Sequence, residues 1–361
     1  MILKYGMNPY QDYAEVVDNT DSLKLLNGNP SVINVLDALN SWQLVKEISQ
    51  TLNIESSASF KHVTPSGVAL GRELNDSEKQ AYFIKKSLTK LATAYAKARG
   101  TDRLASFGDF IALSHGVDEE TAILIKSEVS DGIIAPEYSD EALEILSSKK
   151  NGNYVIFQID KNYEPAEVES RDIFGITIKQ KRNNLKINDE HFSNIVTQNK
   201  TIPPQILSDL KLGILTIKYT QSNSICVVNN GHVIGIGSGQ QSRILCSGLA
   251  LSKANVWYQK LKLDYSAFNQ IEDKKRTDLD QLTELERQKQ FGDKILLNEL
   301  PNTCLLSDGY FPQKDNIELA YKFGIKYIAT PMGSIRDNEI IDTANKYGIA
   351  IINTGIRLFH H

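Results

Sequence analysis

The stretch Ala58-Ser59-Phe60-Lys61-His62-Val63-Thr64-Pro65-Ser66-Gly67 sets an ammonium and an imidazole side by side at a break in an extended run. Pro65 lacks an amide donor and has a fixed φ. Gly67 tolerates tight geometry, so the sequence predicts a strand, a sharp turn and a helix start. An imidazole takes a proton near neutral pH, and an ammonium stabilises or protonates a leaving group. The pair therefore suits proton transfer. The same dipeptide also suits a surface lysine beside a structural histidine, and spacing does not separate the two.

Working outward, 361 residues with 41% hydrophobic and 23% charged content are ordinary for a globular protein of two or three domains. A net charge of −4 gives no electrostatic case for nucleic acid as a partner. No apolar run reaches membrane-spanning length and residues 1–6 carry no signal-peptide pattern, so no membrane association is expected. Cys226, Cys246 and Cys304 are scattered with no CxxC spacing. That argues against a disulfide framework or a cysteine zinc site and for a reducing, cytoplasmic location.

Helical spacing runs over 33–52, with helices also expected over 76–100, 119–129 and 138–149. A strand is expected over 154–159, then weak strands and polar loops over 160–210. Residues 212–218 read as a β-rich lead-in. Ile225-Cys226-Val227-Val228 and Val233-Ile234-Gly235-Ile236 read as a hairpin joined at Asn229-Asn230-Gly231. A charged helical stretch over 272–291 has Leu279, Leu282 and Leu285 on one side and reads as a solvated face without chemistry. Strands and helices alternate from 304 to 353.

Lys61-His62-Val63-Thr64-Pro65-Ser66-Gly67-Val68 resembles Lys218-Tyr219-Thr220-Gln221-Ser222-Asn223-Ser224-Ile225. Ser130-Asp131-Gly132 resembles Ser307-Asp308-Gly309. Two matched pairs in one order predict two similar α/β halves, 1–185 and 186–361. The second carries an insertion near 272–291, and a cleft would gather loops from both. Gly237-Ser238-Gly239-Gln240-Gln241-Ser242-Arg243 suits a phosphate, by close backbone approach, helix amides and a planar cation, or else a tight turn with a surface arginine. It is neither a Walker A nor a GxGxxG fingerprint. Asp131 and Asp308 suit a ribose hydroxyl or an amine, or else a turn, Asn223 a carboxamide or a turn, and Arg357 a second phosphate contact. The zinc-deaminase signature is absent, so no catalytic metal is expected.

These residues also carry a family resemblance. Lys4-Tyr5-Gly6-Met7-Asn8-Pro9, Ser59-Phe60-Lys61-His62-Val63, Ser106-Phe107-Gly108-Asp109-Phe110, Ser130-Asp131-Gly132-Ile133-Ile134-Ala135-Pro136, Lys218-Tyr219-Thr220-Gln221-Ser222-Asn223-Ser224, Gly239-Gln240-Gln241-Ser242-Arg243 and Arg357-Leu358-Phe359-His360-His361 resemble, in order, the aminoimidazole carboxamide ribonucleotide (AICAR) transformylase part of the bifunctional purine-biosynthesis family. The resemblance implies an α/β fold of two duplicated cytidine-deaminase-like α/β/α subdomains in a homodimer with active sites at the subunit interface. It implies transfer of a formyl group from 10-formyltetrahydrofolate to the 5-amino group of AICAR. His62 would be the base, and Lys61 would stabilise the oxyanion or the leaving folate nitrogen. Lys4, Tyr5, Asn34, Gly108, Asp131, Asn223, Arg243 and Arg357 match nucleotide-contacting positions. Ile244, Asp315, Ser334 and Ile335 match positions near the folate. A structural potassium ion (K+) belongs to the family, though this sequence does not show it. The resemblance lacks the inosine-monophosphate (IMP) cyclohydrolase domain, so a separate protein is expected to close the ring.

Three positions depart from the family pattern. Lys4 stands for an arginine, keeping charge but losing the bidentate fork. Tyr10 stands for a histidine, and Gln313 for an aromatic beside the folate. These bear on the formyl donor rather than the nucleotide. The alternatives are the same nucleotide with formate plus ATP as donor, or a non-catalytic purine-nucleotide sensor.

Overall fold

The computed structural model describes residues 1–266, 268 and 275–361. The first half runs β1 (Leu23–Asn27), α1 (Val32–Leu52), β2 (Ser56–Phe60), β3 (Pro65–Leu70), α2 (Asp76–Ala81), α3 (Lys90–Thr101), β4 (Asp109–Leu113), α4 (Glu119–Lys126), β5 (Ser130–Ala135), α5 (Asp140–Ser147) and β6 (Val155–Ile159). A separate two-stranded sheet follows, β7 (Val168–Ile173) and β8 (Ile176–Lys181). The second half runs α6 (Pro204–Lys218), β9 (Ile225–Asn229), β10 (His232–Gly237), α7 (Arg243–Leu261), α8 (Arg276–Phe291), β11 (Cys304–Ser307), α9 (Asp315–Lys322), β12 (Tyr327–Thr330), α10 (Asp337–Tyr347) and β13 (Ala350–Asn353).

Among the described residues eleven strands form one mixed sheet, in the order β1-β6-β5-β4-β2-β3-β10-β9-β11-β12-β13. The triplets β4-β5-β6 and β11-β12-β13 are parallel, and every other neighbouring pair is antiparallel. Each half is thus a hairpin whose first strand pairs antiparallel with a parallel triplet, and the halves meet where β3 lies against β10. Strand alternation sends Cys226 and Val228 to one face and Ile225 and Val227 to the other. One continuous core lies under α1 and α6. On the opposite face, α3, α4 and α5 cover the first half, and α7, α9 and α10 the second.

The two hairpins use the same packing device. A Cβ on Gly67 of β3 would stand 2.0 Å from the Ala98 carbonyl of α3, and one on Gly235 of β10 would stand 2.2 Å from the Ala250 carbonyl of α7. Only glycine lets the helix backbone approach so closely.

Several sequence expectations are corrected. The segment after Gly67 is the second strand of a hairpin, not a helix start. Residues 212–218 belong to helix α6, buried on nearly all sides, so its apolar positions show no period to tell helix from strand. The matched pairs behind the repeat do not occupy equivalent places. Lys61 follows a strand whereas Lys218 ends a helix, and Ser130 begins β5 whereas Ser307 ends β11. What repeats is the strand order.

In the charged stretch, 272–274 lie outside the described residues. The rest forms α8, which buries Asp280, Thr283 and Arg287 rather than its leucines; Leu285 is 66% exposed. Arg103 donates to Asp280 (2.5 Å) and to Glu128 (3.0 Å), and Arg99 bridges Glu128 and Asp109. Helix α8 therefore docks through paired charges, which is the form in which buried charge is tolerated.

Candidate active site

The pairing registers bring the candidate residues to one edge of the sheet. Phe60 pairs with Phe110 and with Pro65, and Asp109 with Ser130; Gly237 pairs with Ile225, and Ser307 with Ile225. In the first half this edge holds the amino ends of β4–β6, and in the second the carboxyl ends of β11–β13. Lys61 and Asn223 flank strands three steps apart, about 14 Å at the usual interstrand spacing.

The first-half cluster centres on the β2–β3 turn. The Lys61 amide donates to the Thr64 carbonyl (2.9 Å), closing the turn. His62 (φ 56°) and Val63 (φ 58°) both lie in the left-handed region, a rare place for a β-branched residue. Lys61 Nζ donates to the Phe107 carbonyl at 2.7 Å, and the His62 side chain is exposed. Beside them Gly108 has φ +77°, and a Cβ there would meet nothing within 4 Å. Asp131 is half-exposed and pairs with Lys150 at 2.6 Å. Beneath the turn, Ser59 Oγ donates to the buried Asp109 (2.5 Å) and lies 2.8 Å from both Ser66 Oγ and Ser106 Oγ. Burial raises the Asp109 carboxyl above its ordinary value, against the lowering effect of Arg99.

Lys4, Tyr5 and Asn34 lie together where the chain enters α1. The Lys4 amide donates to the Pro30 carbonyl, and Tyr5 accepts from the Val32 amide. Lys4 Nζ lies 5.5 Å from the Tyr5 ring centroid. Asn34 Oδ1 accepts from the Ser31 amide and hydroxyl, each at 3.0 Å, so its carbonyl oxygen caps α1 and its amide nitrogen is the part available for recognition.

The second-half cluster is closed on itself. Arg243, at the start of α7, is buried; it pairs with Asp308, donates to Ser307 Oγ (3.1 Å) and donates to Asn223 Oδ1 (2.7 Å). Asn223 in turn donates to the Gln240 carbonyl (2.7 Å), and Ser222 Oγ donates to Asp308 (2.5 Å). The chain terminus is tied in: the Ser222 amide donates to the His360 carbonyl, and the Leu358 amide to the Asp308 carbonyl. Asn223 and Arg243 are therefore brought together as expected. The loop pattern alone, however, suggested an outward cation at Arg243, and its guanidinium instead points inward. The outward cation is Arg357, exposed over the Phe359 ring at 4.7 Å and in no ion pair among the described residues.

The helices around this cluster start at the same edge and carry the folate candidates. Ile244 follows Arg243 on α7, and Asp315 opens α9, accepting from the Asn316 amide. Ser334 precedes α10 and accepts from the Arg336 amide, and Ile335 is fully exposed. Tyr10 (82% exposed) and Gln313 are also open to solvent.

Sequence reasoning missed Asp37. It is buried on α1, and its Oδ1 accepts from the Val63 amide at 2.5 Å. Burial raises its carboxyl to about 6, with the Val63 amide and the His62 ring pulling the other way. The available signal was an acidic residue on the otherwise apolar stripe of Val35, Ala38 and Trp42.

All three cysteines are free and buried. Among the described residues, no group of three His, Cys, Asp or Glu side chains is placed to hold a metal. The buried oxygens without a partner, such as Ser57 Oγ, Thr121 Oγ1 and Ser224 Oγ, lie on separate elements. No residues are assigned to a potassium ion. No described helix is long and apolar enough to cross a membrane.

The fold defines an α/β protein whose central sheet carries, along one edge, a basic pair and a self-held Asn–Arg–Asp group. A family model described as AICARFT/IMPCHase bienzyme matches residues 1–253. The chain belongs to that family. Relatives include proteins named bifunctional purine biosynthesis protein PurH. The one from Macrococcus caseolyticus is 30% identical over 365 residues, covering 99% of this chain and 61% of the relative. Those from Staphylococcus haemolyticus and Staphylococcus epidermidis are 30% identical over 366 residues, with the same coverage. The chain thus spans about three-fifths of the length of these relatives.

Proposed function

We propose that this chain is an AICAR transformylase, moving a formyl group from 10-formyltetrahydrofolate to the 5-amino group of AICAR in cytoplasmic purine synthesis. The observation that carries this is the placement of the Lys61–His62 turn on the same sheet edge as Asp131, Asn223, Arg243 and Arg357.

The arylamine of AICAR is a weak nucleophile. His62 takes its proton as the nitrogen bonds to the formyl carbon, Lys61 stabilises the tetrahedral oxyanion, and the proton passes to the folate nitrogen as the carbon–nitrogen bond breaks. Lys4, Tyr5, Asn34, Gly108, Asp131, Asn223 and Arg357 position the nucleotide. Arg243 acts from its inward pairing by holding Asn223. Ile244, Asp315, Ser334 and Ile335 border the folate. A homodimer would cover the exposed His62, and ring closure falls to an IMP cyclohydrolase activity.

The test is purified protein with AICAR and 10-formyltetrahydrofolate, followed by chromatography for the formylated nucleotide. Folded protein that yields none overturns the assignment. Because Tyr10 and Gln313 alter the donor side, formate plus ATP belongs in the same panel, and turnover with that pair alone would move the donor but keep the nucleotide.

A further inference from the structure

The β2–β3 turn requires something to hold it. Two successive non-glycine residues, His62 and Val63, have φ of 56° and 58°, and such a conformation persists only where its surroundings over-determine it. The group in contact is Asp37, one turn into α1, whose Oδ1 accepts the Val63 amide. Asp37 is 6% exposed and makes no ion pair with lysine or arginine among the described residues. A buried carboxylate without a cation is costly unless hydrogen bonds satisfy it, and the bond seen here comes from the turn. The charged groups facing the turn are few: Asp37 from α1, Lys61 within the turn, and Asp131 from β5 with its partner Lys150. Lys61 Nζ is directed to the Phe107 carbonyl, which leaves the Val63 amide as the contact Asp37 makes with the turn.

We propose that Asp37 is the positioning residue of this site, holding the Lys61–Val63 turn in its left-handed form and so fixing where the His62 side chain stands. This rests on His62 acting as the base. Asp37 touches neither substrate nor the reacting atoms; it acts through the turn. A carboxamide at this position keeps an oxygen for the Val63 amide, so Asp37→Asn retains the hydrogen bond, whereas Asp37→Ala removes it.

The decisive measurement is hydrogen exchange of the Val63 amide by NMR in the full chain without substrate. In Asp37→Ala that amide should exchange at least about tenfold faster than in wild type, and Asp37→Asn should keep it within about threefold. With AICAR and the formyl donor, kcat of Asp37→Ala should fall roughly tenfold while KM for AICAR stays within about threefold. Asp37→Asn should retain most of kcat. An unchanged Val63 exchange rate in folded Asp37→Ala overturns the proposal. Wild-type protein with no turnover overturns the transformylase assignment instead, and the NMR result still decides the role of Asp37.

Discussion

The same sheet edge carries two ion pairs built on opposite principles. In the first half Lys150 and Asp131 meet at 2.6 Å with both side chains well exposed, 39% and 48%. In the second half Arg243 and Asp308 pair with side chains 7% and 0% exposed, inside a web that includes Asn223, Ser222 and Ser307. The first cluster leaves its titratable groups open: His62 is exposed, Gly108 faces empty space and the turn is strained. The second satisfies its own polar atoms and presents a fixed surface. One end of the edge is open to solvent, and the other is held by its own hydrogen bonds. The proposed transfer of a proton and a formyl carbon on an anchored nucleotide would use both.

The largest effect should come from the open cluster. His62→Ala should lower kcat by ~10² to 10⁴, the usual contribution of a positioned base, while AICAR binding stays within about tenfold. Turnover surviving in that variant would remove the base assignment and with it the contrast between the two ends. Next in size is the closed cluster. Asp308→Ala strands a buried guanidinium and should cost about 3–5 kcal/mol in urea unfolding. The exposed counterpart Asp131→Asn should cost less than about 1 kcal/mol and show itself in KM for AICAR. Equal stability losses from the two would mean that burial does not distinguish the ends.

Asp37 provides an effect of intermediate size whose sign is set by burial. Its folded carboxyl, at about 6, lies above the ordinary 3.8. The folded state therefore binds this proton more tightly than the unfolded chain does. The stability it contributes is complete below pH 4 and is lost as pH rises through 6, up to about 3 kcal/mol. Asp37→Asn should remove that loss. The difference in urea midpoint between wild type and variant should then widen, in favour of the variant, between pH 4 and pH 7. A constant difference across that range would show that Asp37 titrates like an exposed carboxylate, contrary to its placement beneath the turn.

Much of this fold was legible in the sequence, because most elements carry local marks. The helical period over 33–52 matches α1, the Asn229-Asn230-Gly231 turn joins β9 to β10, and the strands at 304, 327 and 350 fall where expected. Where the marks conflict, reading fails. Residues 76–100 read as one helix but form α2 and α3, divided between Tyr82 and Thr89. α6 is apolar on nearly every side, and the segment after Gly67 pairs with β10 through contacts far along the chain.

The site was legible as residue types and not as geometry. Lys61, His62, Asn223 and Arg243 stand out by composition and family motif. That Arg243 turns inward to Asp308, and that Asp37 lies under the turn, depends on packing between elements distant in sequence. Side-chain identity cannot encode either fact.

The smallest expected effect sharpens the comparison most finely, because it uses two glycines of similar backbone and different position. Gly108 (φ +77°) lies in the open cluster, and Gly348 (φ +66°) closes α10 at the opposite edge; a Cβ on either would meet nothing within 4 Å. Neither substitution by alanine creates a clash, so both should cost only the left-handed penalty, about 1 kcal/mol. If the space before Gly108 is where the nucleotide lies, Gly108→Ala should also raise KM for AICAR several-fold, and Gly348→Ala should leave it unchanged. Stability measures the backbone alone in both variants, and KM measures occupancy of the space in one. Equal KM values in the two would move the nucleotide away from the first-half end of the edge, leaving the Asn223–Arg243–Asp308 web as its anchor.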